Sequence, residues 1–407
     1  MKEIKGGITA AKGFKATSTE AGIKYKNRTD MAMVYSEVPC VSAGVYTTNK
    51  VKAAPVLWDK KVTDGTKGVQ AIVINAGIAN ACTGKQGFDY CEEEAKAVAR
   101  SLYVDADGVL VASTGVIGKQ LPIEKLVAGI EEMSKTLDDS IEAGTNASKA
   151  IMTTDTVNKE VAVSFQVGGV EVTMGGMSKG SGMIHPNMCT MLGFVTTDCA
   201  IEKSLLQKAL SLDVEDTFNM ISVDGDTSTN DTLVVCANGL AENPIIDKEG
   251  EDFDKFKEAL HYINETLAKK MASDGEGATA LLEVTVENAK SKQQAKILAK
   301  SVACSSLVKA AVYGHDANWG RIMCALGYAK TDFDPDKASI TYMSKAGEIL
   351  VCDNGSDVEF SEELATKILS EKEVTFLINL HEGTEKATAW GCDLTHEYVS
   401  INADYRS

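Results

Sequence analysis

Short apolar runs of strand character alternate with amphipathic helical stretches along almost the whole chain, and that intermixing restricts the fold more than any other feature. Ala71–Asn75 and Val109–Ala112 read as buried strands that end in small-residue turns. Val161–Phe165 and Val170–Met174 read as a hairpin across Gly168-Gly169. Ala280–Glu287, Ile340–Met343, Val374–Leu380 and Ala387–Cys392 read as further strands. Helices are expected over Asp89–Tyr103, Pro122–Leu137, Ile201–Leu212, Phe253–Met271 and Ser291–Val312. The pattern predicts an α/β chain, an α+β sandwich with mixed sheets and two lobes. The charged stretch Asp247–Asp254 is the expected connection between the lobes.

Composition matters here mainly for what it excludes. The chain has 407 residues and a net charge of −17, which disfavours binding to phosphate backbones. No run of about eighteen apolar residues occurs, so no membrane span is expected. Met1–Lys15 has lysines but no apolar core of a signal peptide, and a cytoplasmic location is expected. The 10 cysteines form no C-x-x-C pair, and Val235-Cys236-Ala237 and Met323-Cys324-Ala325 read as thiols packed in apolar runs. No metal site is expected. Asp224-Gly225-Asp226 resembles part of a calcium loop, but its glycine and terminal acid are misplaced.

The 5 histidines are scattered, and only His185 lies in a motif-like region. Acyl chemistry on this chain therefore looks for another base. A threonine exposed as a new N-terminus supplies one, because its own α-amine titrates near roughly 7.7–8. The block Lys179-Gly180-Ser181-Gly182-Met183-Ile184-His185-Pro186-Asn187-Met188-Cys189-Thr190-Met191 fits that chemistry. Thr190 follows a glycine- and proline-punctuated turn, and given a strained backbone there its hydroxyl can attack the Cys189 carbonyl in an N→O shift. On these residues alone, the commoner reading of Thr190 is a β-branched strand residue.

The ordered blocks resemble the ornithine acetyltransferase family, whose members include bifunctional forms that also make N-acetylglutamate. The resemblance runs through Gly6-Gly7-Ile8-Thr9-Ala10, Asn75–Gly84, Ser113-Thr114-Gly115-Val116-Ile117-Gly118, Met152-Thr153-Thr154-Asp155-Thr156, the lysine-to-threonine block and Asp316–Arg321. It implies an N-terminal-nucleophile-like layered architecture. It also implies cleavage between Cys189 and Thr190, giving an α chain of residues 1–189 and a β chain of residues 190–407. The family's usual residue before the cut is alanine, and here it is Cys189.

The implied reaction moves acetyl from N2-acetylornithine to glutamate through an acetyl ester on Thr190. Acetyl-CoA is expected as a further acetyl donor, and no cofactor is expected. Thr114 and Gly115 match the oxyanion donors. Thr153, Lys179, Thr190, Glu276, Asn402 and Ser407 match substrate-binding positions, with Thr154 as the alternative to Thr153. An α2β2 assembly is implied. A related aminopeptidase or amidase is the alternative activity.

Overall fold

The computed structural model describes residues 1–185 and 191–404. These residues form two compact units. One comprises residues 1–180, 186–219 and 227–267, and the other residues 181–185, 220–226 and 268–407. Asp247–Asp254 connects nothing between them: it lies within the first unit, where the helix Glu251–Ser273 begins. Three acidic residues in that helix's first turn favour its start there.

The first unit is built on a mixed nine-stranded sheet among the described residues. Its strand order is Lys2–Ile4, Lys159–Val167, Val170–Lys179, Leu192–Thr197, Thr232–Ala237, Met31–Tyr46, Val69–Ile78 and Val109–Val116, with Phe14–Thr19 on the flank of Met31–Tyr46. Leu192–Thr197 runs parallel to Thr232–Ala237 and antiparallel to Val170–Lys179. Every residue of Leu192–Thr197 and Thr232–Ala237 is buried, as expected of strands covered on both faces.

Val69–Ile78 and Val109–Val116 are also parallel. The helix Ala54–Asp64 packs on Val109–Val116, anchored by the buried Trp58 indole donating to the Val109 carbonyl at 2.9 Å. Met31–Tyr46 is the element that apolar periodicity hides. Pro39 interrupts it, and the pairing with Val69–Ile78 shifts register between Tyr35 and Cys40, so the irregularity absorbs the missing donor.

The second unit holds a mixed seven-stranded sheet, ordered Ser356–Asp357, Gly347–Asp353, Ser339–Ser344, Glu373–Asn379, Leu281–Ala289, Glu385–Cys392 and Ile221–Ser222. The helix Lys292–Ala303 packs on Glu385–Cys392 and Leu281–Ala289. The expected single helix over Ser291–Val312 is two helices, Lys292–Ala303 and Ser306–Tyr313. The Ser305 side chain accepts from the Val308 amide, so a cap competes with continuation. Cys324 is exposed, against the apolar reading of its run. In the helix Trp319–Gly327, Ile322, Ala325 and Leu326 face inward and Cys324 does not.

The helix-and-sheet composition is α/β with mixed sheets, as the sequence predicts. No helix of the described residues is long and apolar enough to cross a membrane. Of the residues on either side of the expected 189/190 junction, 186–190 lie outside the described residues.

Candidate active site

In the first unit, two of the expected residues converge on the ammonium of a third. Lys179 ends the strand Val170–Lys179, and its Nζ donates to the Thr153 hydroxyl at 2.9 Å and to the Thr114 hydroxyl at 3.2 Å. Its side chain is 10% exposed. Desolvating a lysine that far is tolerable only beside a counter-charge, and Asp155 supplies it at 4.0 Å. Asp155 itself is fully buried. Its Oδ1 accepts from Lys159 Nζ and from the Gly180 amide, both at 2.7 Å, and its Oδ2 accepts from the Thr153 amide at 3.1 Å. Burial alone would raise this carboxyl, but the Lys179 and Lys159 charges and these donors hold it well below the ordinary carboxylate range. The turn that presents Thr153 is gripped from outside by Arg28, whose guanidinium donates to the Met152 carbonyl and stacks over Tyr25 at 4.6 Å.

Thr114 and Gly115 lie near the end of Val109–Val116, in register with Ala76 and Gly77 of the neighbouring strand. Gly115 has φ +129°, and a Cβ built there would stand 2.3 Å from the Gly77 carbonyl carbon. Only glycine permits so close an approach of two backbones. The strand ends are fastened by buried Asn230, whose Nδ2 donates to the Ala79 carbonyl at 2.6 Å and the Ser113 carbonyl at 2.7 Å.

In the second unit, Glu276 and Asn402 are brought together. The Asn402 amide donates to Glu276 Oε2 at 2.7 Å, and the Glu276 amide donates to the Ser181 carbonyl at 2.9 Å. Glu276 is 6% exposed, and a Cβ on Gly182 would stand 2.2 Å from its carboxyl carbon, so the glycine clears room for the carboxylate. The helix His396–Ala403 that carries Asn402 is fixed at its start by Thr395, which accepts from the Tyr398 amide and donates to the Gly277 carbonyl at 2.8 Å. Asp224 accepts from the Met183 amide at 2.6 Å, the Ile184 amide at 2.9 Å and the Tyr398 hydroxyl at 3.3 Å. Its carboxylate is thus committed to the chain itself. His185 sits between the Ser222 hydroxyl at 3.1 Å and the Cys304 thiol at 3.5 Å. Burial, helped by Lys300, lowers it to about 4, so it is a neutral ring at physiological pH.

Cys189, Thr190 and Ser407 lie outside the described residues. Of the tandem pair, the Thr153 hydroxyl accepts from Lys179. Sequence reasoning misses Asp155, Arg28 and Asn230. Asp155 lies inside the Met152–Thr156 block, and Thr229-Asn230-Asp231 is a polar run directly before a fully buried strand. Polar side chains at such a strand entrance are a usable signal of buried polar work.

Taken together, the chain has an α/β fold of two mixed-sheet units, and the first of them holds an ammonium cradled by two threonines, one of which precedes a strand-end glycine. The profile of the ArgJ family matches residues 15–407, and the chain belongs to that family. An arginine biosynthesis bifunctional protein ArgJ of Caldanaerobacter subterraneus subsp. tengcongensis is 51% identical over 407 residues, covering 100% of both chains. A second, ArgJ 1 of Clostridium acetobutylicum, is 50% identical over 400 residues, covering 98% of this chain and 97% of its own. A crystal structure of the ArgJ protein of Bacillus halodurans is 48% identical, covers 52% of this chain and 97% of its own, and superposes with a TM-score of 0.49.

Proposed function

We propose that this chain is a self-cleaving acetyltransferase of arginine biosynthesis, which moves acetyl from N2-acetylornithine to glutamate and also makes N-acetylglutamate from acetyl-CoA. The observation that carries the reading is full-length identity of about half to proteins named as bifunctional enzymes of arginine biosynthesis. The Lys179 cluster supports it chemically. Both amino-acid substrates bear an α-carboxylate, and the Lys179 ammonium, already oriented by Thr114 and Thr153, is its partner. In the second unit, the Glu276 carboxylate accepts from Asn402 at 2.7 Å, and the family resemblance implies a substrate-binding role for it.

Chemistry starts at residue 190. Thr190 Oγ attacks the Cys189 carbonyl, the ester formed is hydrolysed, and the freed α-amine becomes the base. Thr190 Oγ then attacks the acetyl carbonyl, with Thr114 and the Gly115 amide stabilising the oxyanion. Ornithine leaves, and glutamate takes the acetyl group from the threonine ester. No cofactor takes part; acetyl-CoA acts as a substrate. The α and β chains stay together as α2β2 in the cytoplasm.

Purified protein is expected to give two bands on a denaturing gel, and Thr190→Ala one. A single full-length band from active wild type ends the reading. Mixing N2-acetylornithine with glutamate should yield N-acetylglutamate and ornithine, and acetyl-CoA with glutamate should yield N-acetylglutamate. Acetate release without transfer to glutamate would point to an amidase instead.

A further inference from the structure

The turn Asp224-Gly225-Asp226 has no part in the chemistry proposed above, yet the chain saturates its first carboxylate. Asp224 Oδ2 accepts from the Met183 amide at 2.6 Å and the Tyr398 hydroxyl at 3.3 Å, and Oδ1 accepts from the Ile184 amide at 2.9 Å and the Asp226 amide at 3.2 Å. An ionised carboxylate offers about four lone-pair sites, and these donors occupy them. The segment behind Asp224 is itself fixed. The Val223 amide donates to the Ile184 carbonyl at 2.7 Å, and the buried Lys309 ammonium donates to the Val223 carbonyl. Ile221 and Ser222 pair with Trp390 and Gly391 in the second sheet.

Asp224 grips two segments that meet at Glu276. The first is the chain at 181–184. Met183 has φ +55°, a conformation an L residue keeps only where its surroundings hold it. Gly182, beside it, leaves the space that the Glu276 carboxyl fills, and the Ser181 carbonyl accepts from the Glu276 amide. The second segment is the helix His396–Ala403. None of its residues is buried, so polar bonds and not apolar packing set its rotation. The Thr395 cap and an edge contact between His396 and the Tyr313 ring fix its start. Tyr398 and Asn402 are one helical turn apart and share a face. The bond from the Tyr398 hydroxyl to Asp224 therefore sets the direction in which Asn402 reaches Glu276. Gly182 and Asn402, the two neighbours that shape the place of the Glu276 carboxylate, are both referred to one aspartate.

We propose that Asp224 is the positioning residue of the Glu276–Asn402 pair, and through it of amino-acid binding. The inference rests on the reading that Glu276 contacts the substrate. Asp224 acts through Glu276: it fixes the segment at 181–184 and the turn of the helix that carries Asn402, and these two hold the Glu276 carboxylate in one orientation.

The test is a double-mutant cycle on cleaved protein, with KM and kcat measured for N2-acetylornithine and for glutamate. Asp224→Asn keeps the volume but turns an NH2 group toward donating amides. It is expected to raise KM about tenfold for the substrate that Glu276→Gln affects, with kcat within about threefold of wild type. Because Asp224 acts through Glu276, the double variant should have the KM of Glu276→Gln alone. A double variant in which the two losses multiply overturns the proposal, since a merely structural role adds its own loss independently. Asp224→Asn with wild-type KM for both substrates also overturns it. If Asp224→Asn fails to fold or to cleave, Tyr398→Phe takes its place in the cycle. That variant removes one hydrogen bond and keeps the ring, its KM is expected to rise about threefold, and the same two outcomes overturn the proposal. Glu276→Gln that leaves both KM values unchanged overturns the substrate-binding reading and the proposal with it, and that single variant tells this failure from the others.

Discussion

Lys179 holds a buried charge between one carboxylate and two hydroxyls, and each neighbour restricts where its Nζ points. Replacing it by methionine keeps the length and removes the charge. Lys179→Met is expected to lower kcat/KM for N2-acetylornithine roughly 100-fold or more, since truncating one partner of a buried charge pair is expensive. Steady-state kinetics on cleaved protein check this, with the two-band gel showing whether processing survives.

A second buried acid makes a prediction about stability. Glu94 is fully buried, and among the described residues both of its oxygens and one oxygen of the nearby Asp59 lack a hydrogen-bond partner. Burial, then the Asp59 and Glu93 charges, raise Glu94 to about 8. A raised acid binds its proton in the folded state while the unfolded chain loses it. Its stabilising contribution is therefore complete below pH 4.5, falls as pH rises, and is gone above about 8. Thermal unfolding of wild type should lose stability across that window, and Glu94→Gln should show a flatter curve. An identical slope for both would refute the assignment.

At the scale of elements, the parallel pair Val69–Ile78 and Val109–Val116 sets the position of Thr114 and Gly115. Gly115→Ala places a Cβ 2.3 Å from the Gly77 backbone at a φ that L residues rarely adopt. A loss of about 2–3 kcal/mol is expected, read as a lower denaturant midpoint, together with slower acetyl transfer. The buried strands were legible in the sequence because apolar runs bounded by glycine or small polar residues have few alternatives. The apolar run Ala71–Asn75 lies within the observed strand Val69–Ile78, and the hairpin across Gly168-Gly169 joins Lys159–Val167 to Val170–Lys179. Met31–Tyr46 was not legible, since Pro39 and Gly44 break its period and its neighbours supply the pairing that periodicity cannot report. The split of Ser291–Val312 turned on one cap, Ser305, whose side chain competes with the helix only once the tertiary packing has placed it.

At the scale of the whole molecule, the strand Leu192–Thr197 bears on what cleavage does. It would follow the cut closely, yet it lies between Val170–Lys179 and Thr232–Ala237 with every residue buried. The two products are therefore expected to co-elute in size exclusion and to part only when the sheet unfolds in denaturant. Separation under native conditions would contradict this. The −17 charge works against anionic substrates in general, so recognition has to come from local cations such as Lys179.

The sequence by itself determined the α/β class and the blocks that carry the family resemblance, and through that resemblance the expected roles of Thr114, Thr153, Lys179, Glu276 and Asn402, because these depend on residue type and local order. Tertiary structure alone decided that Lys179 meets Thr114 and Thr153 over separations of 65 and 26 residues, and that Asp155 neutralises it from within the core. Those facts depend on desolvation and on contacts between distant segments, and neither burial nor long-range distance is written in any local stretch of residues.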